Sequence, residues 1–343
     1  MFLNPWSLNL TLCAVIVLFL VGTAAKTAVR VLLYWDPSSD SNRQIRLEAE
    51  TWLSATLVEY ALLIQVLTLL LFVIAADRFS QMISGAMCAT GTLTANAYGI
   101  PDLLIKLVGS FLYGFWILFH RIDISSERYP LVRFKFIFLL GLVPVILVDM
   151  VLQTLFLANL KPDIITSCCS VVFGDEGGGG RGNLLTGSDP QATLIAFYGL
   201  AGAIIMTGIC FLWQTLGKVR RLVTGGLSGI FSLEWAGFLV VSLAAITTVF
   251  SSYIYAMPYH HCPFCIIKSE YGCIGIFIYA ALLAGAFFGL SVGVVEPFAG
   301  MDDVAQTIRR YRRGAVLLSL VLLIIFTGLS SYHLLLYRLT GGA

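Results

Sequence analysis

Apolar residues in this chain come in long unbroken runs rather than in alternation with polar ones. The runs cover roughly residues 8–30, 52–75, 102–120, 135–158, 191–216, 233–256, 274–295 and 314–337. Each is close to the about 20 mostly apolar residues that a helix needs to cross a bilayer. A transmembrane barrel would show short alternating segments instead. The pattern therefore predicts an all-α, polytopic transmembrane helical bundle of about eight spans, a single integral membrane domain over residues 1–343.

Composition agrees. The chain is 58% hydrophobic and only 12% charged, about half the charge of a soluble domain, with a mean hydropathy of +0.90. The first run has a small-residue stretch at 22–25 that resembles a signal-peptide cleavage site. The segment before it, MFLNPWSLNL, carries no Lys or Arg, and a secretory signal has a positive amino-terminal region. It reads as a retained helix.

The net charge of +2 asks for no nucleic-acid partner, and none is expected. The distribution of charge is more informative. With eight spans the loops alternate between two sides, and one side collects 15 of the 21 basic residues. They are Lys26, Arg30, Arg43 and Arg46, then Arg121, Arg128, Arg133 and Lys135, then Lys218, Arg220 and Arg221, and finally Arg309, Arg310, Arg312 and Arg313. Basic loops stay cytoplasmic, so both termini are expected outside, with loops 78–101, 161–190 and 257–273 on the external side. The expected location is a cell membrane, a bacterial inner membrane with those three loops facing the periplasm. The arginines of 296–314 are expected to lie against anionic headgroups.

Those loops hold most of the cysteines. Residues 257–273 read MPYHHCPFCIIKSEYGC and contain half of the chain's four histidines. Cys262 and Cys265 form a Cys-x-x-Cys, a spacing found in redox-active dithiols, and His260 and His261 are placed in sequence to lower a thiol pKa. The same four side chains are also a donor set for zinc or copper. Cys168 and Cys169 are adjacent, which strains a bond between them, so each points elsewhere or both face a metal. Cys88 lies in 78–101, a Gly-rich segment too polar for a span and too apolar for a solvated loop. Such backbone is tolerated at membrane depth only where protein buries it or it lines a cavity, so a re-entrant fold over the outer face is expected. Cys273 sits at the mouth of span seven. Cys13 and Cys210 read as small apolar residues inside spans.

A Cys-x-x-Cys with further external cysteines above a helical bundle resembles the thiol layout of the quinone-linked disulfide-forming membrane enzymes, which are smaller bundles. The vicinal pair resembles that of membrane mercury carriers in that feature alone. One function leads and two stand as alternatives to it. The first is a thiol–disulfide relay between external proteins and a membrane carrier such as quinone, with Cys262 and Cys265 as the dithiol, His260 or His261 tuning it, and Cys88, Cys168 and Cys169 passing electrons on. The second is binding or transfer of copper or zinc by the same residues, with an external thiol protein or metallochaperone as partner. The third is a structural subunit of a larger membrane complex.

Ionisable groups inside spans default to functional hypotheses. Asp149 and Gln153 are four residues apart and share a helix face; they suit an interhelical hydrogen bond, a proton route or a quinone-head contact. Glu59, in span two, is expected to pair with Lys26. His120 and His333 lie at opposite ends of spans, which excludes a bis-histidine haem, and no Walker, Gly-x-Ser-x-Gly or His-Glu-x-x-His motif is present. The stretch GDEGGGGRGN at 174–183 reads as a linker.

Overall fold

Apolar chain in hydrocarbon must satisfy its backbone polar groups internally, and a helix does so within one segment. The computed structural model describes residues 4–35, 41–83, 86–162, 189–216, 221–257 and 260–341. These residues are 85% helical without strands, and eight helices among them are long and apolar enough to span a membrane. Outward-facing Phe19, Ile195, Trp213 and Leu233 are largely exposed, as lipid-facing side chains are. The described residues fall into two compact units: Met1–Thr166 with Met301–Thr307, and Ser167–Gly300 with Ile308–Ala343.

In the first unit, α1 (Pro5–Tyr34) begins where Asn4 accepts a hydrogen bond from the Trp6 amide at 3.0 Å, with Pro5 at its first position. Both features are favoured helix starts. Ser41 caps α2 (Asn42–Ser80). At 39 residues α2 is about 58 Å long, well beyond the about 30 Å hydrocarbon layer. It is followed by α3 (Ala89–Thr94), α4 (Gly99–Asp123) and α5 (Val132–Ala158). Helices α1 and α2, α1 and α5, α2 and α4, and α4 and α5 pack pairwise. Ala24, Ala28 and Ala61 sit in that core, and small residues let membrane helices approach closely.

The 78–101 segment is not an open loop. Helix α2 covers its first residues, and all of Ala89–Leu93 is buried. Asn96 ties the turn down, donating to the Phe156 carbonyl at 3.0 Å and accepting from the Tyr98 amide at 3.0 Å. A Cβ on Gly99 would lie 2.3 Å from the Leu93 carbonyl oxygen, so only glycine permits this reversal.

Glu59 does not pair with Lys26. It pairs with Arg121, at the end of α4. The α1 contact face runs through Val21, Ala24 and Ala28, and Lys26 lies off it, exposed.

The second unit contains α6 (Pro190–Leu216), α7 (Arg221–Ala245), which continues through a π-helical turn (Ile246–Phe250) into α8 (Ser251–Tyr255), then α9 (Ile274–Val294) and, from Ile308 onward, α10 (Ala305–Leu339). Helix α7 packs on α6 and on α9. The indole of Trp235 lies flat against α9, and a Cβ on Gly289 would meet its Cδ1 at 2.1 Å. Arg312 departs from the headgroup expectation. It is buried, paired with Glu296 at 2.5 Å, while Arg309, Arg310 and Arg313 are exposed.

Candidate thiol site

The thiol-bearing segment is held between the end of α8 and the start of α9. Before it, Thr247 and Thr248 bond their hydroxyls back to the carbonyls of Leu243 and Ala244 at 2.9 Å. Such back-bonding competes with the regular helical ladder, and here the helix widens into the π turn. π turns concentrate at functional sites. The Thr247 carbonyl is used by the segment, lying 3.1 Å from Nδ1 of His261. Helix α8 then stops at Ala256, in the left-handed conformation (φ 52°).

Two tyrosines clamp the backbone beside the thiols. Tyr255 donates to the Cys262 carbonyl at 2.5 Å, and Tyr279, from α9, donates to the Pro263 carbonyl at 2.7 Å. Residues Cys265–Ile267 form one 3₁₀ turn. A Cβ on Gly275 would stand 2.7 Å from the Ile266 carbonyl carbon, so α9 presents a bare backbone on which that turn rests. Gly272 and Cys273 both take the left-handed conformation (φ 65° and 55°) to start α9. For cysteine this is a strained choice.

The outcome is a buried dithiol. Cys262 is 0% exposed, Cys265 6%, and their sulfurs lie within 4.8 Å of each other. Tetrahedral zinc with Zn–S of about 2.3 Å needs sulfurs roughly 3.8 Å apart, inside that limit.

No protein-family model, curated protein or solved structure matches this chain.

The chemistry of the site therefore carries the functional reading. A carbonyl oxygen only accepts, so His261 bears its hydrogen on Nδ1, and a neutral ring keeps a lone pair on Nε2 for a proton or a metal. His260 packs edge-on against Tyr255 with centroids 4.4 Å apart. Cys88, at the start of α3, is buried. Cys168 and Cys169 lie outside the described residues. Cys273 and Cys13 are half-buried and Cys210 is exposed.

Within the first unit the sequence reading found half of a polar cluster and missed the other half. Asp149 and Gln153 are both buried on α5. Their partner is Lys106 of α4, whose Nζ lies 2.8 Å from Asp149 Oδ1 and 2.9 Å from Gln153 Oε1. Gln65 of α2 donates to the second Asp149 oxygen, and Gln153 donates to the Leu10 carbonyl of α1 at 3.2 Å. Asp102, one turn before Lys106, completes the group. The signal was present in the sequence: Asp102 and Lys106 stand four apart inside an apolar run.

Lys135, expected among the cytoplasmic loop charges, is instead buried at the start of α5, 2.6 Å from Asp123 and 3.4 Å from His120.

Proposed function

We propose that this protein binds a soft metal ion, copper or zinc, at the Cys262–Cys265 turn of a multi-pass membrane protein. The observation that carries this reading is the burial of both sulfurs within 4.8 Å of each other. Thiol exchange with a partner protein needs an attacking sulfur that can reach a disulfide, and burial works against that. A small cation needs only converging thiolates, and soft thiolates select copper(I) and zinc. His261, with Nε2 left as acceptor, is proposed as a further donor or as the group that receives a thiol proton. His260 is proposed as its neighbour in the same role. Loops 78–101 and 161–190 fall on the same face by span alternation. Cys88, Cys168 and Cys169 are proposed as additional thiols on that ground.

A relay to a membrane quinone is the second reading, favoured by the Cys-Pro-Phe-Cys spacing itself. In either case the loops are proposed to face the periplasm of a bacterial inner membrane, with an external metallochaperone or thiol protein as partner. A structural subunit of a larger complex is the remaining alternative.

The test is metal analysis of full-length protein purified without chelator, beside Cys262→Ser, Cys265→Ser and His261→Ala. Metal binding predicts copper or zinc in the wild type and its loss in both cysteine variants, with no mixed disulfide trapped. A metal-free wild type whose single-cysteine variants trap a mixed disulfide overturns this reading in favour of the relay. Neither metal nor trapping, with function retained, leaves the structural subunit.

A further inference from the structure

Lys106, Asp102 and Asp149 form one buried cluster in the first unit, and its charges do not balance. One ammonium faces two carboxylates. Side chains of Lys106 and Asp102 are at most 1% exposed and that of Asp149 4%. Helix α3, which packs on α2 and α4, carries no ionisable side chain over Ala89–Thr94. Helix α1 offers the Leu10 carbonyl, α2 offers neutral Gln65, and α5 offers Asp149 and Gln153. On α4, Tyr113 is the remaining titratable group beside Asp149. Among the described residues no second cation forms an ion pair with either aspartate.

Lys106 spends its hydrogen bonds on Asp149 and Gln153. Asp102 Oδ1 stands 3.6 Å from Nζ, beyond a normal N–H···O distance. Neither carboxylate oxygen of Asp102 has a partner at hydrogen-bond distance, and Asp149 lies close enough for the two carboxyls to share a hydrogen bond once one of them is protonated. A fully buried carboxylate with only a long ion pair, next to a second carboxylate, is expensive. One proton removes both faults. It neutralises the surplus charge and gives Asp102 an O–H.

We propose that the Asp102–Lys106–Asp149 cluster is a proton-binding site in the membrane-spanning part of the first unit, holding one exchangeable proton on Asp102. On release, the Asp102 O–H bond breaks, its electron pair stays on the carboxylate, and the proton passes to water. Uptake reverses the step, and no electrons change hands. Lys106 is a positioning group: its Nζ lies 2.8 Å from Asp149 Oδ1 and 3.6 Å from Asp102 Oδ1, so Asp149 takes the close ion pair and Asp102 is left to take the proton.

The experiment uses the full chain. In liposomes, an apolar carbodiimide adds to protonated carboxyls, and mass spectrometry maps the adduct. Labelling is expected on Asp102 and is lost as pH is raised. In purified protein, infrared spectroscopy should show a protonated-carboxyl carbonyl band that shifts in D₂O. Asp102→Asn abolishes this band. In Lys106→Met it roughly doubles, because both carboxyls must then be neutral. Absence of both the adduct and the band in wild type overturns the proposal. So does a band that ignores D₂O or that survives Asp102→Asn. If the variants do not fold, the wild-type labelling and its pH dependence decide the matter alone.

Discussion

The hydroxyl of Tyr255, the last residue of α8, donates to the carbonyl of Cys262 at 2.5 Å. A span end and a thiol seven residues later are thereby fixed to one another. Removing the hydroxyl leaves a buried carbonyl unsatisfied, which costs about 1–3 kcal/mol. Tyr255→Phe should lower the thermal midpoint in detergent and weaken metal binding. Tyr279→Phe should act in the same direction, because it too leaves a carbonyl, that of Pro263, without its donor. Unchanged midpoints and unchanged metal content in both variants would show that the clamp does not position the site.

Gly275 holds the 3₁₀ turn against α9. A methyl group there meets Ile266 backbone, which has no rotamer to yield. Gly275→Ala is expected to cost about 1–3 kcal/mol, as overpacking does, and to reduce metal stoichiometry while far-ultraviolet circular dichroism stays helical. Gly314→Ala, inside α10 where a Cβ meets open space, is the control: it should not lower stability, since alanine favours a helix over glycine, and should leave metal stoichiometry unchanged.

Removal of one member of a buried ion pair leaves the other uncompensated, at about 3–5 kcal/mol. Lys106→Ala should therefore destabilise the protein strongly, measured by denaturation in detergent. Lys106→Ala with Asp149→Ala should cost less than the two single changes added together. Strict additivity would show that the two groups are not coupled.

The proposed orientation is checked with introduced cysteines at two exposed positions, in a background where the native cysteines are serine. A membrane-impermeant maleimide should reach Ser269→Cys in intact cells and Glu127→Cys only after permeabilisation. The opposite pattern inverts the topology and places the thiol turn in a reducing compartment, where the relay to external proteins has no role.

Sequence alone determined the eight spans, because hydrophobic transfer acts on each helix separately and a solid apolar run has no other stable state in a bilayer. It also marked the Cys262–Cys265 spacing and the intramembrane Asp149 and Gln153, since these rest on residue type and short range. What the partners of those residues are was decided only by tertiary packing. Glu59 met Arg121 rather than Lys26 because helix rotation, which the nearly uniform apolar composition leaves unspecified, set which faces touch. Lys135 reads along the chain as a loop charge and Lys106 as a lone cation in an apolar run; only the packing of α4 and α5 buries each beside a carboxylate. The burial of the thiols themselves depends on the bare backbone of Gly275 and on two tyrosines, one at each side of the loop. These contacts join segments through space, and the order of residues along the chain carries no measure of that distance.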